Sequence, residues 1–175
     1  MKPRFPSVFG ILNECSAVAV LNLLRVTNRS LSASDISTIT QATLKDITEV
    51  IDLLDMAGLM TIVRPSRHSD LKSISGHLPN MFSLSDNNLL QAFEEHGWEE
   101  GFFGSRLAVA YAGAGQYSLA GWKGQDNFLE RLGYLETDAS PPNDYQVSKI
   151  TLKGMAAYVV LTLLYPRNEA SAKVA

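Results

Sequence analysis

Apolar residues recur at helical spacing from Val8 to Val26, where Ile11, Leu12, Cys15, Val18, Ala19, Leu21, Leu23 and Leu24 form a broad face. Ala17 and Val20 carry that face almost around the cylinder, and a helix apolar on so many sides is normally covered from more than one direction. Polar Asn28-Arg29-Ser30 interrupts the pattern. Ser32 or Ser34 then offers a cap for a short helix bearing Ile36 and Ile39. Thr40-Gln41-Ala42 reads as a turn, and Thr43 opens a second capped helix with Asp46 in the capping-box position, where Glu or Gln is the commoner partner. Leu44, Ile47, Val50, Ile51 and Leu54 obey the i, i+3, i+4, i+7 rule for one inward face. Gly58 stands where a left-handed helix cap is expected.

The period then changes from helical to alternating. Leu59-Met60-Thr61-Ile62-Val63-Arg64 has the branching of a strand. Pro65 to Gly76 is a polar, basic loop, and His77 to Leu84 returns as a second strand, with Pro79 pointing to an edge position or a late start. Ser85-Asp86 caps a helix through Leu89, Leu90 and Phe93 that closes at Gly97. The second half repeats parts of the plan. Residues 126 to 136 again give helix, glycine and strand, 139 to 144 a turn, Tyr145 to Ile150 a return strand, and Thr151 starts a last helix. Upstream, Ser105 to Ala112 is helical, but Gly113, Gly115, Gly121 and Gly124 fall where an orderly helix-turn-helix would lie. The expected architecture is mainly α with small β-hairpins, an α+β chain. Residues 1–97 form its first domain, and 98–175 a second one that is either a degenerate copy or a dimerisation domain.

Helix, turn, helix, strand, basic loop, strand is an order with a known likeness. The stretch "LSASDISTITQATLKDITEVIDLLDMAGLMTIVRP", within residues 31 to 84, resembles the winged helix-turn-helix domain of small bacterial transcription regulators, broadly the MarR-type and the iron-sulfur or nitrite-responsive repressors. Ser-Ala-Ser-Asp-Ile would open the positioning helix and Leu-Leu-Asp-Met-Ala-Gly-Leu would end the recognition helix. The resemblance covers about a third of the chain, and the pattern is shared by many families. It implies DNA binding. The cysteine trio that holds a cluster in the iron-sulfur members is absent, so no cofactor is carried over.

Composition limits what such a domain can do. The 175 residues are 46% hydrophobic and 19% charged, with net charge −3 and a pI near 5.6, so there is no overall pull toward a polyanion. DNA contact must come from a local patch. Cys15 is alone in an apolar run, which suits an inert core thiol in a reducing cytosol and excludes a disulfide framework. The opening Met1-Lys2-Pro3-Arg4-Phe5-Pro6 does not read as a secretion signal. Met155 to Tyr165 is about half the roughly 20 residues a bilayer span requires. A cytoplasmic protein without membrane contact is the expectation.

The recognition helix poses the main electrostatic question. Over residues 43 to 58 one lysine faces Asp46, Glu49, Asp52 and Asp55, a net of −3, whereas duplex affinity comes mainly from neutralised phosphates. Only the first turn of such a helix normally reaches base edges, and here it offers Gln41, Thr43, Lys45 and Thr48. The following loop is basic: Arg64, Arg67 and Lys72 against Asp70 give +2 over residues 64 to 77, suited to flanking phosphates or a minor groove. The competing readings are a solvated acidic face and charges that keep an edge hairpin soluble.

Other motifs carry less. "YAGAGQYSLAGWKGQ" lacks the Gly-Lys-Ser/Thr ending of a phosphate loop and fits a close helix crossing or a flexible connection. Trp98, Phe102, Phe103, Tyr117 and Trp122 could stack bases or line a ligand pocket, although aromatics more often fill a seam between subdomains. The histidines have no metal-ligand spacing and Ser105 lacks a nucleophile-elbow context, so neither enzyme nor metal site is expected. Apolar faces on the first and last helices, Val8 to Val26 and Leu152 to Tyr165, suggest a homodimer or tandem domains packed within one chain. The rival to DNA binding is a protein-interaction module whose partner meets the face containing Glu49 and Asp52.

Overall fold

The protein is described from a computed structural model, over residues 12–64, 79–85, 88–122, 127–137 and 145–167. It is mixed α+β and divides into two units, Met1–Asp55 with Leu59–Ser85, and Met56–Gly58 with Asp86–Ala175. The helix ending at His96, which the sequence placed with the first half, groups with the second.

In the first unit, α1 (Glu14–Val26) is capped by Asn13, whose side chain accepts from the Ser16 amide at 3.4 Å. Its inward stripe is Ala17, Val20, Leu21 and Leu24. That is a single face rather than the nearly complete apolar cylinder expected, and Cys15 lies on the other side of it, exposed. The core thiol read from the sequence is therefore corrected. At 100° per residue, position 15 falls opposite positions 20 and 24. The part of the expected helix before residue 12 lies outside the described residues.

Between α1 and α2 (Ala33–Thr40) runs β1 (Leu31–Ser32), a strand too short to leave a period in the sequence. Ser32, not Ser34, is the cap of α2. Its hydroxyl accepts from the Asp35 amide at 3.1 Å, while the Asp35 carboxylate accepts from the Ser32 amide at 3.0 Å and hydroxyl at 2.7 Å, a complete capping box. The Ser32 hydroxyl, then the Ser32 amide and the nearby Arg29, hold the Asp35 carboxyl below its ordinary pKa. Three residues later comes α3 (Leu44–Met56), which buries Ile47, Val50, Ile51, Leu53 and Leu54. β2 (Met60–Val63) and β3 (Met81–Leu84) form an antiparallel pair, with β1 on the far side of β3. The sheet order is β1-β3-β2. The return strand begins after Pro79, the late start its proline implies.

The second unit holds α4 (Asn88–His96), α5 (Phe103–Ala112), β4 (Ser118–Trp122), α6 (Phe128–Arg131), β5 (Leu135–Thr137), β6 (Tyr145–Ile150) and α7 (Leu152–Leu164). Its sheet order is β4-β6-β5, again first, third, second. The correspondence with the first unit extends to single hydrogen bonds. Leu59 donates to the Leu54 carbonyl and Tyr134 to that of Leu129, both at 2.8 Å. Ser85 donates to the Leu59 carbonyl and Thr151 to that of Tyr134, at 2.8 and 3.1 Å. Met60 pairs with Leu84 in one sheet and Leu135 with Ile150 in the other. The copies differ between their first two strands, where the first unit has α2 and α3 and the second, among the described residues, has the single turn of α6.

α7 supplies the second core. Residues 156 to 161, Gly154 and Leu163 are all buried, so of the two covers expected for this apolar face, a homodimer or packing within one chain, the chain itself supplies the one over these residues, while Leu152 at the helix start stays exposed. Gly154 allows the helix to sit on the strand entrance: a Cβ there would lie 2.1 Å from the Tyr134 carbonyl oxygen. Around Phe93 gather Trp98 and Tyr165, with ring centroids 4.8 and 5.0 Å away, and Phe103 at 6.0 Å. The aromatics expected to fill a seam between subdomains thus include Trp98 and Phe103, which pack inside the second unit. Trp98 also donates its indole N–H to the Tyr165 carbonyl at 2.8 Å, satisfying the one polar atom of a ring otherwise placed for packing. Within this unit Tyr134 Oη donates to the Ala57 carbonyl at 3.1 Å, tying residues 56–58 to it. No helix among the described residues is long and apolar enough to cross a membrane.

Candidate nucleic-acid interface

The turn from α2 to α3 is built by side chains that bond back to its own backbone. Gln41 ends α2 with φ 58°, a left-handed conformation that costs a non-glycine residue about 1–2 kcal/mol. The surroundings fix it: the Gln41 amide donates to the Ser37 carbonyl at 2.8 Å, Ser37 Oγ donates to the Ala42 carbonyl at 2.9 Å, and the Ala42 amide donates to Thr40 Oγ1 at 3.2 Å. Ala42 is buried beneath. Thr43 then caps α3, its hydroxyl accepting from the Asp46 amide at 3.1 Å. A turn tied at this many points holds the start of α3 at one angle to α2.

Gln41, Thr43, Lys45 and Thr48 are all exposed at this helix start. Thr48 spends its proton on the Leu44 carbonyl at 2.8 Å, so toward a ligand it presents an acceptor and a methyl group. Lys45 is 84% exposed, and its ammonium stands 3.9 Å from Glu49 Oε1. At such exposure the pair holds the lysine only weakly. Arg64 follows β2 directly and is exposed. Arg67 and Lys72, the other two residues of the expected basic grip, lie outside the described residues.

Along α3 the spacing 45, 48, 52, 55 puts one lysine, one threonine and two aspartates on a single exposed stripe. Its chemistry changes from one cation to two carboxylates along the helix. A phosphate run laid along the whole helix would meet Asp52 and Asp55, whereas contact limited to the first turn meets Lys45 and the amide end of the helix dipole.

One expectation for this helix is corrected. Leu44 was assigned to the inward face, yet it is 61% exposed, and Leu53 is buried in its stead. Helical side chains lean toward the preceding turn. At the first residue of a helix no such turn exists, so Leu44 projects past the helix end. Ile39, near the end of α2, is 55% exposed. The two apolar side chains flank the turn on either side, and sequence periodicity misplaced Leu44 because it counts positions without regard to helix ends.

No group of three or more His, Cys, Asp or Glu among the described residues is placed to hold a metal ion. Comparison of the chain with protein-family models, with curated proteins and with solved structures finds no match.

Proposed function

We propose that the chain is a DNA-binding transcription regulator whose first unit is a winged helix-turn-helix. The element order α1-β1-α2-α3-β2-β3, the three-residue turn between α2 and α3, and the strand order β1-β3-β2 support that fold assignment. The observation that carries the function is the joint exposure of Gln41, Thr43, Lys45 and Thr48 at one rigidly tied helix start. In this reading those four approach base edges in a major groove, Arg64, Arg67 and Lys72 neutralise flanking phosphates, and the acidic remainder of α3 stays off the backbone. A duplex selection from pooled random sequence at low salt tests it, followed by a salt titration of the enriched duplex. An enriched motif with salt-sensitive affinity is expected. No enrichment at any ionic strength overturns the proposal.

A second reading is favoured by one observation. Leu44 and Ile39 expose apolar surface at the turn into α3, and the same helix carries Glu49 and the exposed Asp52 further along, a combination suited to a basic, apolar-anchored protein segment. Reversing Glu49 and Asp52 to lysine separates the two: loss of a stoichiometric protein partner supports the interaction module, and tighter duplex binding supports the regulator.

A further inference from the structure

A lone exposed leucine is ordinary on a protein surface. Leu44 is distinguished by its company: it is the first residue of α3, 61% exposed, and the exposed Gln41, Thr43, Lys45 and Thr48 surround it in sequence. Thr48 lies four residues on, over the same face of the helix. Its hydroxyl donates to the Leu44 carbonyl at 2.8 Å, so what it still offers is an acceptor oxygen and a methyl group. The side chains of Leu44 and Thr48 therefore present apolar surface and one acceptor, and no donor.

We infer that Leu44 determines sequence specificity by covering the C5-methyl group of a thymine, with Thr48 Oγ1 accepting from the exocyclic amine of an adenine. This assignment rests on the regulator reading and names the base pair that its helix start selects. In the major groove guanine shows two acceptors, cytosine a donor, adenine an acceptor and a donor, and thymine an acceptor with a methyl group. That methyl is the one apolar group on any base edge of unmodified DNA. A leucine laid over a different edge desolvates a donor or acceptor and returns no hydrogen bond, which is a net loss. Thr48 sorts the bases in the same direction. With its proton already used, its oxygen is matched by an N–H on a base and not by guanine O6 or N7. A cytosine·guanine pair supplies such an N–H but no methyl group. Thymine·adenine supplies both. Lys45, exposed beside them, adds the cation that approach to a polyanion needs.

The test deletes the methyl group and nothing else. In the duplex enriched from pooled random sequence, each thymine of the motif is replaced in turn by uracil, which keeps the base pairing, and fluorescence anisotropy reads the affinity of the full chain. At one or two positions uracil should weaken binding about fourfold, the worth of one buried methyl group. Leu44→Ala, at an exposed position, should leave the thermal unfolding curve in place. It should weaken binding to the thymine duplex by a similar factor and bind the thymine and uracil duplexes alike, the sign that residue and methyl group are coupled. A salt-sensitive motif at which no uracil substitution matters, or a Leu44→Ala protein that keeps the parent's preference for thymine, overturns the inference and leaves the regulator reading standing. No enriched duplex at any ionic strength overturns both. Unchanged duplex affinity in Leu44→Ala, together with loss of a stoichiometric protein partner, also overturns it and assigns the residue to the protein-interaction module.

Discussion

Gly58 and Gly133 occupy the same place in two copies of one turn. Each follows the end of a helix with positive φ, 69° and 78°, and in each case the next residue donates its amide to a buried leucine four positions before the glycine. Alanine at either position must adopt the left-handed conformation, at about 1–2 kcal/mol. Gly133→Ala meets no close obstacle, the nearest heavy atom being Lys153 Cδ at 3.9 Å, but at Gly58 a Cβ would stand 2.7 Å from Lys153 Cε. Thermal unfolding should therefore show Gly133→Ala lowering Tm by about 3–6 °C. Gly58→Ala should fall by at least as much, and Lys153→Ala should narrow the difference between the two variants.

Gly154→Ala should be more damaging than either. Its backbone is ordinary, so the cost is steric. The added carbon would meet the Tyr134 carbonyl oxygen at 2.1 Å and Ile150 Cγ1 at 2.8 Å, and the first of these is backbone. Overpacking of this kind costs about 1–3 kcal/mol when neighbours can shift. Chemical denaturation should place the loss at the upper end of that range, and a Gly154→Ala protein as stable as the parent would mean that α7 can slide along the strand entrance.

The capping box at α2 makes an acid-side prediction. The bonds from Ser32 stabilise the ionised Asp35, so its folded pKa lies below its unfolded value of 3.8. The stability it contributes is fully present above the unfolded pKa and is lost as pH falls through the lower folded one. Ser32→Ala should cost about 1 kcal/mol at neutral pH, and the gap between parent and variant should narrow below pH about 4. A carboxyl NMR titration should return a midpoint for Asp35 under the ordinary aspartate value, moving upward in Ser32→Ala.

Arg106 and Glu130 should behave as a pair. Arg106→Met takes the cation from a nearly buried carboxylate that also accepts from the Ser148 hydroxyl at 3.5 Å, a loss of up to about 3–5 kcal/mol, whereas Arg106→Met with Glu130→Leu removes both charges and should recover most of it. Denaturant unfolding of the parent, both singles and the double variant measures the coupling.

On duplex DNA, charge on the exposed stripe of α3 should act in both directions. Lys45→Ala should weaken binding and alter sequence preference. Asp52→Lys should strengthen binding to all duplexes and steepen the salt dependence by about 0.9 in log–log slope if the new lysine reaches a phosphate. Fluorescence anisotropy across a salt series reads both effects.

How much of this was legible depended on the length of each pattern. The stripe Ile47, Val50, Ile51, Leu54 runs through about two turns, and the glycines at 58 and 133 punctuate their helices, so α3, its stop and the echo of that stop in the second half could be read from residue order. β1 could not, since two residues carry no period, and it takes its strand conformation from pairing Leu31 with Phe82. Leu44 was misplaced because periodicity describes an endless helix and it stands in a first turn, and Cys15 because apolar residues nearly all round α1 hid which face is inward, the one opposite it. The faces of α7 were invisible for the opposite reason. A segment apolar on every side shows no direction, and only the second unit's own packing reveals that its apolar surface is already covered. The turn residues Gln41, Thr43, Lys45 and Thr48 were legible as exposed because polar residues at a helix start have nowhere else to go. The pairing of Arg106 with Glu130, separated by 24 positions, left no trace in residue order.

The exposed thiol near the start of α1 gives this chain an experimental handle. Cys15 is its only cysteine, so a maleimide dye or spin label attaches at one point, on the side of α1 away from its buried stripe. Such a probe would report on self-association through label-to-label distances in solution, and on duplex or ligand additions through changes in its mobility, without any engineered residue.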